Sequence, residues 1–572
     1  MTDKPVILGI KYLGHDTAAS LTKGTELVAA CAQERYTLDK HSRRFPDEAI
    51  ADCLRIGGVG MGDVDQIAFV GDLKYLVREH YLRPALEWDA RLDYLVNDFD
   101  RIREALGMED HVRERTQYEG PIKFYRHHLC HAASTYYPSG FETAFIMSLD
   151  GIGERESTLL ATGENGEITI VGDGNEYPNS FGLIYSAITH YLGWRHHSDE
   201  GIVMGLAPYG NPHAKIPGQS ATYFEIFEEI IRETGPYDFA IDMTWADYFG
   251  TRDKWISEKF IETFGPKREP GGPLEQTHRD LAAALQARLE QVVLNQLRAV
   301  RDKFGHRQLC LAGGVALNCS MNGKIAASGL FDEIFVTPAS GDDGTTIGAC
   351  YLGIRDITGQ PPPRGKLDNF YLGYRANGDE IAAAVAASAH HAEQPEDMPR
   401  VVAQHVADGK IVAFFQHGAE FGPRALGNRS ILARPFPAEM KDYINDRVKF
   451  REPFRPFAPA VLKECQHEYF DLKQDSPHML IACQARPERA DRIPAVVHVD
   501  GTCRVQTVTR DHNREFYDLI SAFYEITGVP VILNTSFNVK GQPIVNTPEQ
   551  AVKTFEGTKI DVLAIGDWVL VK

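Results

Sequence analysis

The chain has 572 residues, 43% of them hydrophobic and 24% charged, and a formal net charge of −19. Its length exceeds what one core fills and predicts two large domains, with a globular composition free of disordered bias. The acidic balance argues against a nucleic-acid partner, whose grip comes from lysine and arginine on phosphates, but leaves room for a local basic pocket.

In chain order, 6–10 reads as a buried strand and 11–16 as a turn with polar groups, His15 among them, at its tip. Residues 17–21 and 26–30 are strands about a Gly24 turn, 46–56 a short helix, and 77–106 peripheral helices rich in charge and aromatic residues. His127 and His131 then stand four residues apart. On a helix both imidazoles project from one face, close enough to hold one metal ion, although the spacing by itself is a weak signal. A strand at 144–149 delivers Asp150 at its carboxyl end, before a Gly-x-Gly turn. Two neutral nitrogens and a carboxylate describe an open, working metal site better than a closed structural one.

A hairpin at 157–162 and 167–171 completes a pattern of strand, polar turn, strand, glycine turn, strand that has now occurred twice. Such duplication resembles the actin, hexokinase and Hsp70 type of ATP-binding fold, in which each half offers a turn to the nucleotide phosphates. A helix is predicted over 179–192, a glycine-spaced loop over 200–210, and a long amphipathic helix over 279–303. Residues 215–270 carry many aromatics and no chemical motif. The strand opening at 308 runs into Gly313 and Gly314, and a helix starts soon after. Glycines there let the backbone approach a ligand, or simply make a tight turn. After a strand at 334–337, Asp342 and Asp343 precede a helix beginning near Thr345, as catalytic carboxylates at a strand's end or as an N-cap pair. The proline-rich segment 359–365 is the clearest linker and divides the chain into 1–360 and 366–572.

The second domain opens with alternating helix and strand signals, including a strand at 410–415. Glycines with Arg424 and Arg429 in the loop before Ile431 suit an anion pocket, because guanidinium forks match phosphate or carboxylate oxygens two at a time. Lys449, Arg451 and Arg455 lie between phenylalanines in a proline-restricted segment, and Arg504 follows. A basic cluster in so acidic a chain is expected to hold an anionic ligand, surface ion pairs being the alternative. A last strand at 529–534 ends in hydroxyl and amide groups, Ser536 among them. The nine cysteines are scattered with no Cys-x2-Cys pairing, which fits reduced thiols. No signal-peptide pattern opens the chain and no apolar run is long enough to span a bilayer, so the expectation is cytoplasmic, without a membrane partner.

In this order, the segments around His127 and His131, Gly313 to Asn318, 422–430, 450–458 and 533–538 resemble the O-carbamoyltransferases of nodulation-factor and antibiotic biosynthesis. The likeness covers essentially the whole chain, and five ordered motifs are far more specific than any one. It implies an N-terminal domain similar to tRNA threonylcarbamoyl-transferase and a C-terminal α/β domain similar to threonylcarbamoyl-AMP synthase. It also implies two coupled reactions: carbamoyl phosphate and ATP giving carbamoyl adenylate in the C-terminal domain, then carbamoyl transfer to a hydroxyl of a small-molecule natural product in the N-terminal one. Arg424, Lys449, Arg455, Arg504 and Ser536 match the positions used around carbamoyl phosphate and nucleotide, with Gly313, Gly314 and Asn318 as the nucleotide turn. His127, His131, Asp150 and Asp342 match the metal ligands, iron(II) being the usual ion, with Mg(II) a companion of ATP. His15 falls at the acceptor histidine and is the candidate general base, the alternative being a turn histidine bonded only to its own loop. The chain departs from the pattern at Ile202, where a lysine is common. The rival readings are a sugar- or acetate-kinase-like phosphotransferase and a non-catalytic ATP-binding module; a homodimer is expected on base rate alone.

Overall fold

The computed structural model describes residues 4–172, 174–251, 253–362, 365–367 and 369–572. Its first sheet pairs Val6–Lys11 with Ala18–Lys23, then Glu26–Ala32, all antiparallel, and on its other side Val6–Lys11 runs parallel to Gln66–Val70, which neighbours Ile122–Tyr125. A second five-stranded sheet repeats that plan with Thr143–Leu149, Thr158–Glu164, Glu167–Gly172, Gln308–Ala312 and Glu333–Val336. In both, the strands stand in the order third, second, first, fourth, fifth of their own half. The protein is α/β, with a duplicated actin-like topology over this part.

Each half closes with a helix that packs on the sheet of the other. His127–Ser139 ends the first half and lies on the second sheet, while Thr345–Thr358 ends the second and lies on the first. The two helices also pack on each other, and a Cβ at Gly348 would fall 1.8 Å from the Cys130 carbonyl oxygen. Glycine is therefore required at that crossing. This exchange brings the start of one helix beside the start of the other, between the carboxyl ends of the central strands.

The C-terminal part builds an eight-stranded mixed sheet from His391–Glu393, Trp568–Val571, Val562–Ile565, Val412–Phe415, Arg429–Ala433, Val531–Ser536, Ala458–Leu462 and Gln506–Val508, in that order. It is tied to the first part by Ala30 N donating to Leu372 O (3.1 Å), Asn322 Nδ2 to Leu480 O (2.9 Å) and Arg35 Nη2 to Gly422 O (2.7 Å). Among the described residues no helix is long and apolar enough to cross a membrane.

Two local expectations are corrected. The segment predicted as a glycine-spaced loop at 200–210 is a helix, Glu200–Leu206, followed by a 3-10 turn. Burial of Ile202, Val203 and Leu206 on one face outweighs the helix penalty of Gly201 and Gly205, about 1 kcal/mol each. Arg429, grouped above with Arg424, belongs to a strand and turns inward, fully buried. It stacks on Phe415 and donates to carbonyls of Asn428 and His417, so it supports the sheet and does not face the anion pocket. Within the expected linker, Pro363 and Arg364 lie outside the described residues.

Candidate active site

At its N-terminus the helix His127–Ser139 is anchored by Glu154, whose Oε1 accepts from the backbone N–H of His127 (2.9 Å) and of Asp72 (2.7 Å). His127 and His131 project from one face and bring their Nε2 atoms to 3.1 Å. Asp150, at the end of Thr143–Leu149, sets Oδ2 3.2 Å from His127 Nε2 and 3.7 Å from His131 Nε2. Asp342, in the turn before Thr345–Thr358, sets Oδ1 at 3.4 and 3.7 Å from the same atoms. The four ligand atoms lie within 4.8 Å of one another.

Such edges are those of ligands about 2.1 Å from a common centre. Two imidazole nitrogens this close cannot both aim lone pairs at each other unless a cation stands between them. Two nitrogens and two carboxylate oxygens suit a divalent transition ion, so the residues fit a metal. Without one, the electrostatics ask for positive charge at the same point. Burial works against charge on His131, but hydrogen bonds to Asp150 and Asp342 outweigh it and lift the pKa to about 9. Burial also works against ionising Asp150, and the two histidines reverse it, holding the carboxyl well below the usual range. Outer contacts fix the carboxylates. Gly314 N donates to Asp150 Oδ1 (2.8 Å), and Lys11 Nζ lies 3.4 Å from Asp342 Oδ2. His131 Nδ1 is buried without a hydrogen-bond partner.

Asp150 and Asp342 form part of the wall of a cavity of about 970 Å³, with His127 and His131 behind them. The same wall carries His15, Gly314, Asn318, Arg424, Lys449, Arg455, Arg504 and Ser536. Gly313 does not reach it. Its φ is 89°, and a Cβ there would sit 2.1 Å from Leu149 O, so this glycine serves the close approach of neighbouring strands. Asn318 spends its amide as an N-cap: Oδ1 accepts from Met321 N (3.0 Å), and Nδ2 donates to Gln286 Oε1 (2.8 Å). Ile202 puts an apolar side chain on the wall.

The far end of the cavity is cationic. Arg424 rides on a loop pinned by Glu420, whose Oε1 accepts from the backbone N–H of Leu426 (2.8 Å), Asn428 (2.7 Å) and Arg429 (3.0 Å). Gly422 lets this loop press on the N-terminal part, since at its φ of 119° a Cβ would lie 2.6 Å from Pro338 O. Burial first, and then the charges of Arg504 and Arg455, lower the Arg424 pKa to about 9. Burial likewise pushes Lys449 and Arg451 well down, with neighbouring arginines adding to it. Lys449, 4% exposed, donates to the Ser536 carbonyl, to Asn538 Oδ1 (2.8 Å) and to Asn538 O (3.1 Å). Arg451 stacks on Phe457 at 4.3 Å. Arg455 has Glu452 at 3.6 Å, while Nε of Arg424 and of Arg504 are buried without partners. Arg429 Nε is likewise unpartnered, so what suits Arg424 and Arg504 to an anion is their place on the cavity wall beside Arg455.

Near His15 the sequence reading missed three residues. Asp16 bonds to both His15 and His41, and His197 stacks on His15 at 5.9 Å. Asp16 was readable as its neighbour; nothing in the sequence joins His41 to a turn 25 residues earlier.

The carbamoyltransferase N-terminus family matches residues 6–351 and the carbamoyltransferase C-terminus family residues 403–572. Over 99% of this chain and 96% of the other, an uncharacterized protein of Synechocystis is 36% identical. Nodulation protein NolNO of Sinorhizobium fredii is 38% identical over 98% of this chain and 79% of its own, and nodulation protein U of Rhizobium tropici 30% identical over 94% and 91%. Among solved structures, component A of the Acidaminococcus fermentans (R)-2-hydroxyglutaryl-CoA dehydratase is similar over 62% of this chain and 99% of that one, at 12% identity and a TM-score of 0.31, too loose a match to add to the topology. With both halves of the family matched in order and full-length relatives above 30% identity, the chain belongs to the carbamoyltransferase family and is an enzyme of it.

Proposed function

We propose that the protein is an ATP-dependent O-carbamoyltransferase that forms carbamoyl adenylate at the cationic end of the cavity and transfers its carbamoyl group at the His–Asp end. The observation that carries this reading is that one cavity of about 970 Å³ is lined by Asp150 and Asp342 and also by Arg424, Lys449, Arg455 and Arg504, so that a reactive mixed anhydride made beside the arginines can reach the carboxylates within the same cleft. Adenylate formation belongs to residues 366–572 and transfer to residues 1–360.

In the first reaction carbamoyl phosphate, ATP and water give carbamoyl adenylate, phosphate and pyrophosphate. Arg424, Arg455 and Arg504 bind phosphoryl oxygens and balance charge that builds up as phosphate and pyrophosphate depart. Lys449, held by the Ser536 and Asn538 oxygens, presents its ammonium at a fixed point of that wall, and Ser536 Oγ, 3.3 Å from Nζ, completes it. Gly314 offers backbone to the nucleotide. In the second reaction His15 takes the proton of an acceptor hydroxyl as that oxygen attacks the carbamoyl carbon, and AMP leaves. His127, His131, Asp150 and Asp342 would hold a divalent ion, which we take to be iron(II). Such an ion, when bound, supplies Lewis-acid polarisation of the adenylate. The acceptor is a hydroxylated small molecule entering past His15 and Trp194.

Incubation of the protein with ATP and carbamoyl phosphate, scored for AMP and pyrophosphate, tests the reading. Release of both that depends on carbamoyl phosphate is the expected result. ADP as the nucleotide product, or turnover without carbamoyl phosphate, would sink it in favour of a phosphotransferase.

A further inference from the structure

The Asp16 carboxylate is divided between two imidazoles. Its Oδ2 lies 2.8 Å from His15 Nδ1 and its Oδ1 2.7 Å from His41 Nδ1. An ionised carboxylate only accepts hydrogen bonds, so both rings donate from Nδ1. Neutral His15 is thereby fixed as the Nδ1–H tautomer, with the Nε2 lone pair free. The arrangement is held in uncommon backbone: Asp16 and His41 have φ of 57° and 58°. His15 keeps 37% of its side-chain surface open and lines the cavity, whereas His41 Nε2 is buried without a partner.

Other charged groups face this pair from the elements around it. Lys11 and Asp342 pair behind His15, Glu34 Oε2 accepts from His41 N at 2.9 Å, and Lys40 and Asp343 line the same wall. His197, stacked on His15, is lowered to about 3 by burial and by the His15 charge, so it remains neutral.

We propose that Asp16 and His41 are positioning residues for carbamoyl transfer, an inference that rests on the function proposed above. Asp16 orients His15 so that Nε2 faces the acceptor hydroxyl, and His41 pins the second oxygen of Asp16 so that the carboxylate cannot swing away. In the transfer step the acceptor oxygen bonds to the carbamoyl carbon while the bond from that carbon to the adenylate phosphate oxygen breaks. AMP leaves with the electron pair, and the hydroxyl proton passes to His15 Nε2. The imidazolium formed is balanced by Asp16 and returns its proton to solvent through its open edge. Burial alone would lower the His15 pKa, but the Asp16 hydrogen bond and charge outweigh it and raise it to about 9. The neutral base is therefore increasingly available as pH rises toward that value.

Diethyl pyrocarbonate acylates only neutral imidazole, so its rate at His15, followed by peptide mass spectrometry on the full chain from about pH 6 to about pH 10, reads this group without turnover. Asparagine tolerates left-handed backbone, which makes Asp16→Asn and His41→Asn compatible with both turns. Asp16→Asn is expected to move the midpoint down by about one pH unit or more, whereas His41→Asn, which also removes an imidazole sharing the Asp16 charge, is expected to leave the midpoint at or above the wild-type value while slowing carbamoyl transfer about tenfold. An unmoved midpoint in Asp16→Asn overturns the proposal, and carbamoyl transfer at the wild-type rate in His41→Asn overturns the part assigned to His41. Pyrophosphate release by the wild-type protein separates the two levels. Its absence overturns the underlying function and the transfer role together, whereas normal release with an unmoved midpoint in Asp16→Asn overturns only the Asp16–His41 pair.

Discussion

At the end of the cavity made by the duplicated halves, two imidazoles meet two carboxylates within 4.8 Å. At the end made by the C-terminal sheet, Arg424, Lys449, Arg451, Arg455 and Arg504 converge, with Glu452 beside Arg455. The first set contains its own counter-charges and can be settled by a proton or a metal ion. Backbone and amide oxygens partly settle the second at Lys449, while Arg424, Arg455 and Arg504 add guanidinium charge to the cavity wall. A self-balanced cluster should therefore couple to stability through its own members, whereas an unbalanced one should couple chiefly through its ligand.

The largest expected effect is at the balanced end. His131→Ala removes a fully buried imidazole of the candidate metal site and leaves two carboxylates short of their partner. Bound metal, measured by elemental analysis after dialysis, should fall at least about tenfold, and carbamoyl transfer by about a hundredfold or more. Retention of full metal content would remove His131 from the site.

Next in size is a change of opposite character. Arg424→Met and Arg504→Met each delete a half-buried cation on the cavity wall whose Nε has no partner. Stability without ligand should stay level or rise by about 1 kcal/mol, while carbamoyl phosphate binding, followed by calorimetry, should weaken by about 2–4 kcal/mol. Loss of stability in the ligand-free protein would mean that these arginines are structural, as Arg429 is.

Arg429 shows where sequence reading stops. Arg424 and Arg429 stand in one glycine-rich run, and nothing in residue type separates them; only the pairing of Arg429–Ala433 with Val412–Phe415 turns Arg429 into the interior. The same limit holds for Asp342 and Asp343. Both sit before a helix, yet Asp342 turns toward His127 while Asp343 Oδ1 accepts from Gly344 N at 3.0 Å. What was legible had a local geometric signature. The spacing of His127 and His131 implied a shared face, a strand end implied the place of Asp150, and the repeated strand pattern implied the duplicated sheets. The Glu200–Leu206 helix and the Asp16–His41 contact were illegible because burial and long-range pairing decide them.

A smaller effect is expected where the two ends are fastened together. Gly422→Ala would put a Cβ 2.6 Å from Pro338 O at a φ of 119°, and so must shift the Arg424 loop off the turn that leads to Asp342. Denaturant unfolding should show a loss of about 2–3 kcal/mol. If the loop is what keeps the two ends in one frame, pyrophosphate release should also outrun carbamoyl transfer, with AMP and ammonium appearing from carbamoyl adenylate that hydrolyses before transfer. Equal losses in both reactions would show that the loop serves only the cationic end.

The smallest expected effect separates neighbours within one helical turn. His128 lies beside His127 but faces away from the ligand cluster, with Nε2 donating to Glu156 O and Nδ1 accepting from Ser148 Oγ, both at 2.9 Å. It is buried and bonded at both nitrogens, so its work is to fasten the helix to the strand that ends in Asp150. His128→Gln keeps one amide donor and one acceptor in shortened form. It should cost about 1–2 kcal/mol in thermal or denaturant unfolding through imperfect hydrogen bonds, with metal content unchanged at saturating ion. Loss of metal from His128→Gln at full folding would instead mean that the cluster depends on a third histidine, and the balance of two imidazoles against two carboxylates would have to be redrawn.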